Sequence, residues 1–246
     1  MKIFAHRGYS AKYPENTIAA FQAAANLPID GVEFDVHLTK DQQVVVIHDE
    51  SVNRTSNGIG YVKDMRLKEL RELDFGSWFS EEFQGERIPT LEEVLKVFHG
   101  TDLRVNIELK CDVFAYDQLE ELVLGEVKAL EMMEQVVISS FNHAAVARVA
   151  SLAPNIENAA LFNKTIFNMM DYQEKLPAKA LHVSFASAVR RPVRKALAKG
   201  AVVRVWTVNE VKQAARLVNT GVDAIFTDEP EKMLAFLREN HVHITG

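Results

Sequence analysis

Gly31-Val32-Glu33-Phe34-Asp35-Val36 is the stretch from which the fold is read. Strand side chains alternate between two faces, so Glu33 and Asp35 share one face while Val32, Phe34 and Val36 share the other. Placed on the outside of a protein, the two acids would form a hydrated edge. Their apolar flanks and their place at a strand end point instead to the inner face of a barrel. There the carboxylates repel and lose hydration, a cost that only a cation or a proton relieves.

The sequence on either side supplies the rest of that barrel. Short β-branched runs at 2–6, 32–38, 104–109, 136–141, 158–162, 181–185, 202–208 and 224–227 alternate with helix-like stretches. The helical stretches cover 15–26, 90–99, 113–132, 143–152, 166–174, 191–199, 211–219 and 231–240. Strands and helices alternating in this number predict a parallel sheet closed into an α/β, TIM (β/α)8 barrel; a doubly wound open sheet is the alternative. Pro89-Thr90-Leu91-Glu92-Glu93 sets Thr90 as an N-cap with Glu93 three residues on, a capping box. Lys199-Gly200 and Thr220-Gly221 place glycine where a helix ends in left-handed backbone. One region breaks the alternation. Residues 44–48 read as a strand paired with the end of the second barrel strand, and 49–88 as a small insertion of weak periodicity with no core of its own. The expectation is one domain over residues 1–246 that includes this insertion.

Composition narrows the function. Of the 246 residues, 48% are hydrophobic and 25% charged, which suits one large buried core. A formal net charge of -6 leaves no basic face for general nucleic-acid binding. A local cationic pocket for a small anion remains compatible with it. The single cysteine, Cys111, excludes an internal disulfide. No stretch reaches the roughly 20 apolar residues of a membrane span. Met1-Lys2-Ile3-Phe4-Ala5-His6-Arg7 contains no signal-peptide core, so a cytoplasmic location is expected. The oligomeric state is not encoded in any visible pattern.

The third barrel strand repeats the theme of the second. Asn106, Glu108 and Lys110 share a face of Val105-Asn106-Ile107-Glu108-Leu109-Lys110, and strand adjacency brings Glu108 beside Glu33 and Asp35. Three carboxylates without a thiolate suit one hard divalent cation: Mg²⁺ or Ca²⁺, with Mn²⁺ as a further candidate. His6 ends the first strand and His48 ends the short strand before Asp49; imidazoles at one mouth suit proton transfer near neutral pH. Arg7 offers a planar fork to a phosphate, and Lys110 a point charge for a phosphate oxygen or for the acids. Taken alone, each of these residues reads equally as an ordinary surface or core group. Trp206 faces inward with Arg204 and either packs on a substrate or fills the barrel. Arg204 needs an acidic partner there. Asn16 and Thr17 read as caps of the first helix. Asn142, His143, His182 and Asp228 lie near strand ends without an assigned role, and His37 and His99 read as structural or solvated.

Together these stretches resemble the glycerophosphodiester phosphodiesterases. His6-Arg7-Gly8 with Pro14-Glu15-Asn16-Thr17 is similar to that family's opening signature. Gly31–Val36 with Val46-Ile47-His48-Asp49 is similar to its second. Asn53-Arg54-Thr55-Ser56-Asn57-Gly58, Ile88-Pro89-Thr90-Leu91, Ile107-Glu108-Leu109-Lys110, Val205-Trp206-Thr207-Val208-Asn209 and Thr227-Asp228-Glu229-Pro230 follow in the family's order. The resemblance implies a barrel with a small insertion after its second strand. It implies metal ligation by Glu33, Asp35 and Glu108 and acid and base roles for His6 and His48. It also implies phosphate contacts from Arg7 and Lys110, and a pocket lined by Trp206. The activity implied is metal-dependent hydrolysis of a small glycerophosphodiester to sn-glycerol 3-phosphate and an alcohol. Two alternatives remain at this point: a lysophospholipid substrate, with Trp78, Phe79 and Phe83 of the insertion lining an apolar mouth, or a non-catalytic phosphate- or metal-binding module.

Overall fold

A computed structural model describes residues 1–240. Nine strands form: β1 (Lys2–His6), β2 (Gly31–Leu38), β3 (Val44–Val46), β4 (Arg104–Leu109), β5 (Val136–Ser140), β6 (Glu157–Phe162), β7 (Ala180–Ser184), β8 (Val202–Trp206) and β9 (Ala224–Thr227). The sheet order is β1-β9-β8-β7-β6-β5-β4-β2-β3, and β1 also pairs with β2. All pairings except β2–β3 are parallel, so eight strands close into a TIM barrel and β3 lies outside it, antiparallel to the end of β2 through Val36 and Val46. The open-sheet alternative is thereby excluded.

Ten helices fill the outer layer and its connections: α1 (Ile18–Ala25), α2 (Leu67–Leu70), α3 (Leu91–Phe98), α4 (Leu119–Ala129), α5 (His143–Leu152), α6 (Met169–Lys175), α7 (Phe185–Ala188), α8 (Arg191–Ala198), α9 (Val211–Leu217) and α10 (Pro230–Glu239). The outward faces of the strands and the inner faces of these helices share one core, with Val32, Phe34 and Val36 of β2 against Phe21 and Phe98. The capping box of α3 forms as expected: the Thr90 N–H donates to Glu93 at 2.8 Å and Glu93 N–H to the Thr90 hydroxyl at 3.3 Å. Gly200 and Gly221 adopt φ of 86° and 89° at helix ends. The fourth helix begins at Leu119, later than the sequence suggested, because Gln118 takes a left-handed φ of 65° and residues before it form a loop at the barrel mouth.

The insertion differs from its sequence reading. Val52, Val62, Leu70 and Phe75 pack with Val45, Ile47 and Ile88 into a small cluster of their own. Its spacing follows turns and short helical segments rather than one period, which is why no periodic signal betrayed it.

The barrel interior is filled. Phe4, Val137, Ala159, Ala180, Ala224 and Phe226 are all buried there. Below them Arg204 finds the acids it requires: its Nε donates to Asp223 at 2.8 Å and an Nη to Glu157 at 2.5 Å. Arg104 and Lys2 extend that network across the lower end. His182, fully buried beside Arg204 and Phe226, is held far below the ordinary histidine range by burial and by the guanidinium.

Gly8 shows how sequence and packing meet near the mouth. It has φ of 79°, and a Cβ there would lie 2.8 Å from the backbone carbon and Cβ of Ala20 in α1. Gly8→Ala is expected to cost about 1–3 kcal/mol or more, from strained backbone and overpacking together. Chemical denaturation measures it; an unchanged midpoint would contradict the close packing of α1 on this turn.

Candidate active site

Each barrel strand delivers its last inward side chain to the same end. β1 brings His6, β2 brings Glu33 and Asp35, β4 brings Asn106, Glu108 and, just past its end, Lys110, and β8 brings Trp206. One cavity of about 100 Å³ is lined by His6, Arg7, Glu33, His48, Asn106, Glu108, Ser139, Phe141, Leu161, Trp206, Thr207 and Phe226. Trp78, Phe79 and Phe83 are not among its walls; Phe79 meets both Phe83 and Trp78 edge to face, and Tyr13 lies tilted against Phe83. The cavity's aromatic side is instead Phe141, Trp206 and Phe226, with Phe141 and Trp206 edge to face at 5.6 Å.

The carboxylates converge. Glu33, Asp35 and Glu108 are buried, and each offers an oxygen within 4.8 Å of the others. Burial, then the charges of Asp35 and Glu108, push Glu33 well above the usual carboxylate range. Burial and Asp35 likewise push Glu108 up to about 7. Burial would raise Asp35 as well, but Arg7, then His48 and Lys110, outweigh it and hold Asp35 low. Its Oδ2 also accepts from the Asn16 amide at 3.1 Å. This cluster carries more negative charge than its cations neutralise, so it keeps a proton unless a dication takes its place. Three hard oxygen donors within one ion's reach fit a divalent metal.

The cations sit around this centre. Lys110 donates to Glu108 at 3.0 Å and lies 3.5 Å from His48 Nε2. Burial would lower Lys110, but Glu108 and Asp35 more than offset it and keep the ammonium charged. The Arg7 N–H donates to the Glu33 carboxylate at 3.1 Å, and its Nη1 to Glu15 at 2.8 Å.

The two imidazoles are oriented alike. His6 Nδ1 lies 2.6 Å from Asp228 and His48 Nδ1 2.7 Å from Asp49. A carboxylate only accepts, so each Nδ1 carries the hydrogen and each Nε2 is left facing inward. Burial holds His48 below the ordinary histidine range. His6 Nε2 is 3.9 Å from Glu33. Asp228 is fixed further by Asn209 at 2.5 Å and Ser10 at 3.1 Å.

All eight residues singled out from the sequence therefore meet at one end of the barrel. Sequence reasoning passed over Asp228 and Asp49, which orient the imidazoles, and Asn16, which holds Asp35. The adjacency His48-Asp49 was a visible signal for one; Asp228, 222 residues from His6, offered none beyond its strand end. His37 is structural, as expected: its ring bonds Tyr116 at 2.9 Å and the His48 carbonyl at 3.1 Å.

Loading the cluster with Mg²⁺ or Ca²⁺ is expected to release a proton, because Glu108 sits near 7 when metal-free. Apparent affinity should then climb as pH rises through about 7. Calorimetry in buffers of different ionisation heat reads the proton count; a count of zero at pH 6 would contradict the shared proton.

No helix among the described residues is long and apolar enough to cross a membrane. Comparison with known proteins agrees with the geometry. The model of the Glycerophosphoryl diester phosphodiesterase family matches residues 6–232. A glycerophosphodiester phosphodiesterase of Caldanaerobacter subterraneus subsp. tengcongensis is 40% identical over 96% of this chain and 98% of its own. One of Bacillus altitudinis is 42% identical over 97% and 98%. Among solved structures, an Oleispira antarctica phosphodiesterase in complex with the product sn-glycerol-3-phosphate has a TM-score of 0.87 at 32% identity, covering 97% of both chains. The chain belongs to the glycerophosphoryl diester phosphodiesterase family.

Proposed function

We propose that this chain hydrolyses glycerophosphodiesters to sn-glycerol 3-phosphate and an alcohol, with a divalent cation held by Glu33, Asp35 and Glu108 and with His6 and His48 moving the protons. The observation that carries the reading is a pair of imidazoles, each turned by an aspartate, on either side of a three-carboxylate cluster in one cavity. The relatives named as glycerophosphodiester phosphodiesterases, and the product bound by the Oleispira antarctica enzyme, support the substrate class.

A divalent ion held by Glu33, Asp35 and Glu108 would supply positive charge that polarises the phosphate and makes a nearby hydroxyl more acidic. The chain's own groups do the rest. Arg7, with Lys110 across the cavity, holds phosphate oxygens. His48, kept neutral by burial, suits the base that takes the nucleophile's proton. His6, between Asp228 and Glu33, suits the acid that protonates the departing alkoxide. Trp206 and Phe141 present an apolar wall to the carbon skeleton. Water and the substrate's own 2-hydroxyl both fit as nucleophile; a substrate without that hydroxyl separates them, since undiminished turnover leaves only water.

The reading is tested by incubating the protein with a panel of head-group diesters and with lysophosphatidylcholine, with and without chelator, and assaying glycerol 3-phosphate from the diesters and free choline from the lysophospholipid, whose glycerol phosphate keeps its acyl chain. Chelator-sensitive release from the small diesters is expected. No release from any of them would end the proposal, and release confined to the lysophospholipid would replace its substrate.

A further inference from the structure

Arg7 and His48 reach the cavity from different parts of the chain, and neither neighbours the other in any sheet pairing. A continuous series of charged hydrogen bonds nevertheless joins them. Arg7 donates to Glu15 at 2.8 Å. Arg54 donates to both oxygens of Glu15, at 2.8 Å each. The same guanidinium donates to both oxygens of Asp49, at 2.8 and 3.0 Å. Asp49 in turn accepts from His48 at 2.7 Å. Arg54 belongs to the insertion, touches neither cavity nor cluster, and spends a full fork on each of two carboxylates.

We propose that Arg54 is a positioning residue for the reaction: it locks Glu15 and Asp49 into one rigid strap, and through them fixes the phosphate-holding Arg7 and the proton-moving His48 at a set separation. The inference rests on the roles given to Arg7 and His48 under Proposed function. The geometry needs arginine. A guanidinium offers five N–H donors in a plane and can grip two carboxylates side by side, whereas an ammonium on a flexible stem cannot hold both in fixed orientation. Without Arg54, Glu15 is free to follow Arg7 and Asp49 loses the anchor that aims the His48 ring. The competing reading is a surface ion-pair cluster of small value, since the Arg54 side chain is 43% exposed. The two readings separate cleanly. A surface cluster contributes slightly to stability and nothing to rate. A strap contributes little to stability but much to rate, because misplacing a reacting group by about 1 Å can cost on the order of 100-fold.

The test uses the full chain loaded with Mg²⁺ or Ca²⁺ and the best diester of the panel. Arg54→Ala should lower kcat by roughly 10–100-fold and raise KM as well, because both ends of the strap loosen, with the melting temperature nearly unchanged. Asp49→Asn should lower kcat while leaving KM near wild type, because it frees only the histidine end. The double variant should lose less than the product of the two single losses, since both break one unit. Arg54→Lys should keep the charge but recover little of the rate. Arg148→Ala removes an exposed arginine of α5 paired with Glu121 of α4, outside the cavity, and should behave as wild type.

Arg54→Ala with kcat and KM within about twofold of wild type would overturn the strap, as would strictly multiplicative losses in the double variant. Should Arg54→Ala fail to fold, Arg54→Lys decides by the same criterion. A wild-type chain inactive on every diester would sink the activity itself; an active wild type with an indifferent Arg54 sinks the strap alone.

Discussion

His6→Ala and His48→Ala are each expected to slow diester hydrolysis by about 10²–10⁴-fold while the barrel stays folded. The size follows from the role proposed for each ring. A proton must leave the nucleophile and another must reach the alkoxide, and His6 and His48 are the imidazoles that line the cavity. The folded state should survive because both rings lie at the mouth: His6 and His48 are partly exposed, and their main partners, Asp228 and Asp49, retain Asn209, Ser10 and Arg54. Glycerol 3-phosphate release gives the rate and circular dichroism the fold. A variant with near-native turnover takes its histidine out of the mechanism. The pair is also expected to be far from additive, since either missing ring stalls the same reaction.

Glu33→Gln should do two opposite things at once. Divalent-ion binding and turnover should fall by at least about 10²-fold, because the cluster loses a charged oxygen donor. The metal-free protein should become more stable. Glu33 is buried among like charges and is held far above its ordinary range by that burial and by Asp35 and Glu108. The sign is worked out through the proton. A folded carboxyl with a raised pKa binds a proton that the unfolded chain has already lost, so its contribution is present at low pH and disappears as pH climbs. For Glu108 that loss runs from the ordinary 4.5 up to about 7. Glu33→Gln removes one of the raised carboxyls from the cluster, and the alkaline-side loss should shrink. Melting curves from pH 5 to 8 in chelator, compared with calorimetric metal titrations, measure both halves. A variant less stable than wild type at pH 8 in chelator would show that the cluster is not in electrostatic conflict.

What the sequence disclosed and what it withheld divide along a physical line. Alternation within β2 and β4 was enough to put Glu33, Asp35 and Glu108 on inner faces, because period two is a property of the strand itself. Strand-end positions placed His6, His48, Lys110 and Trp206 at one mouth for the same reason. The partners of those residues were beyond reach. Asp228 meets His6 only because β9 closes the barrel against β1, a contact that exists in the closed form and in no local segment. Asn16 points its amide at Asp35 because its backbone takes φ of 58°, a local conformation that the sequence around it permits but does not dictate. The insertion's cluster of Val52, Val62, Leu70 and Phe75 escaped notice because irregular turns, and no repeat, bring its members together.

The packed lower end of the barrel, stoppered by Arg204 with Glu157 and Asp223 beneath Phe4 and Phe226, makes the vessel one-ended. Whatever enters must back out the way it came. Two fragments born side by side would therefore leave through that same end.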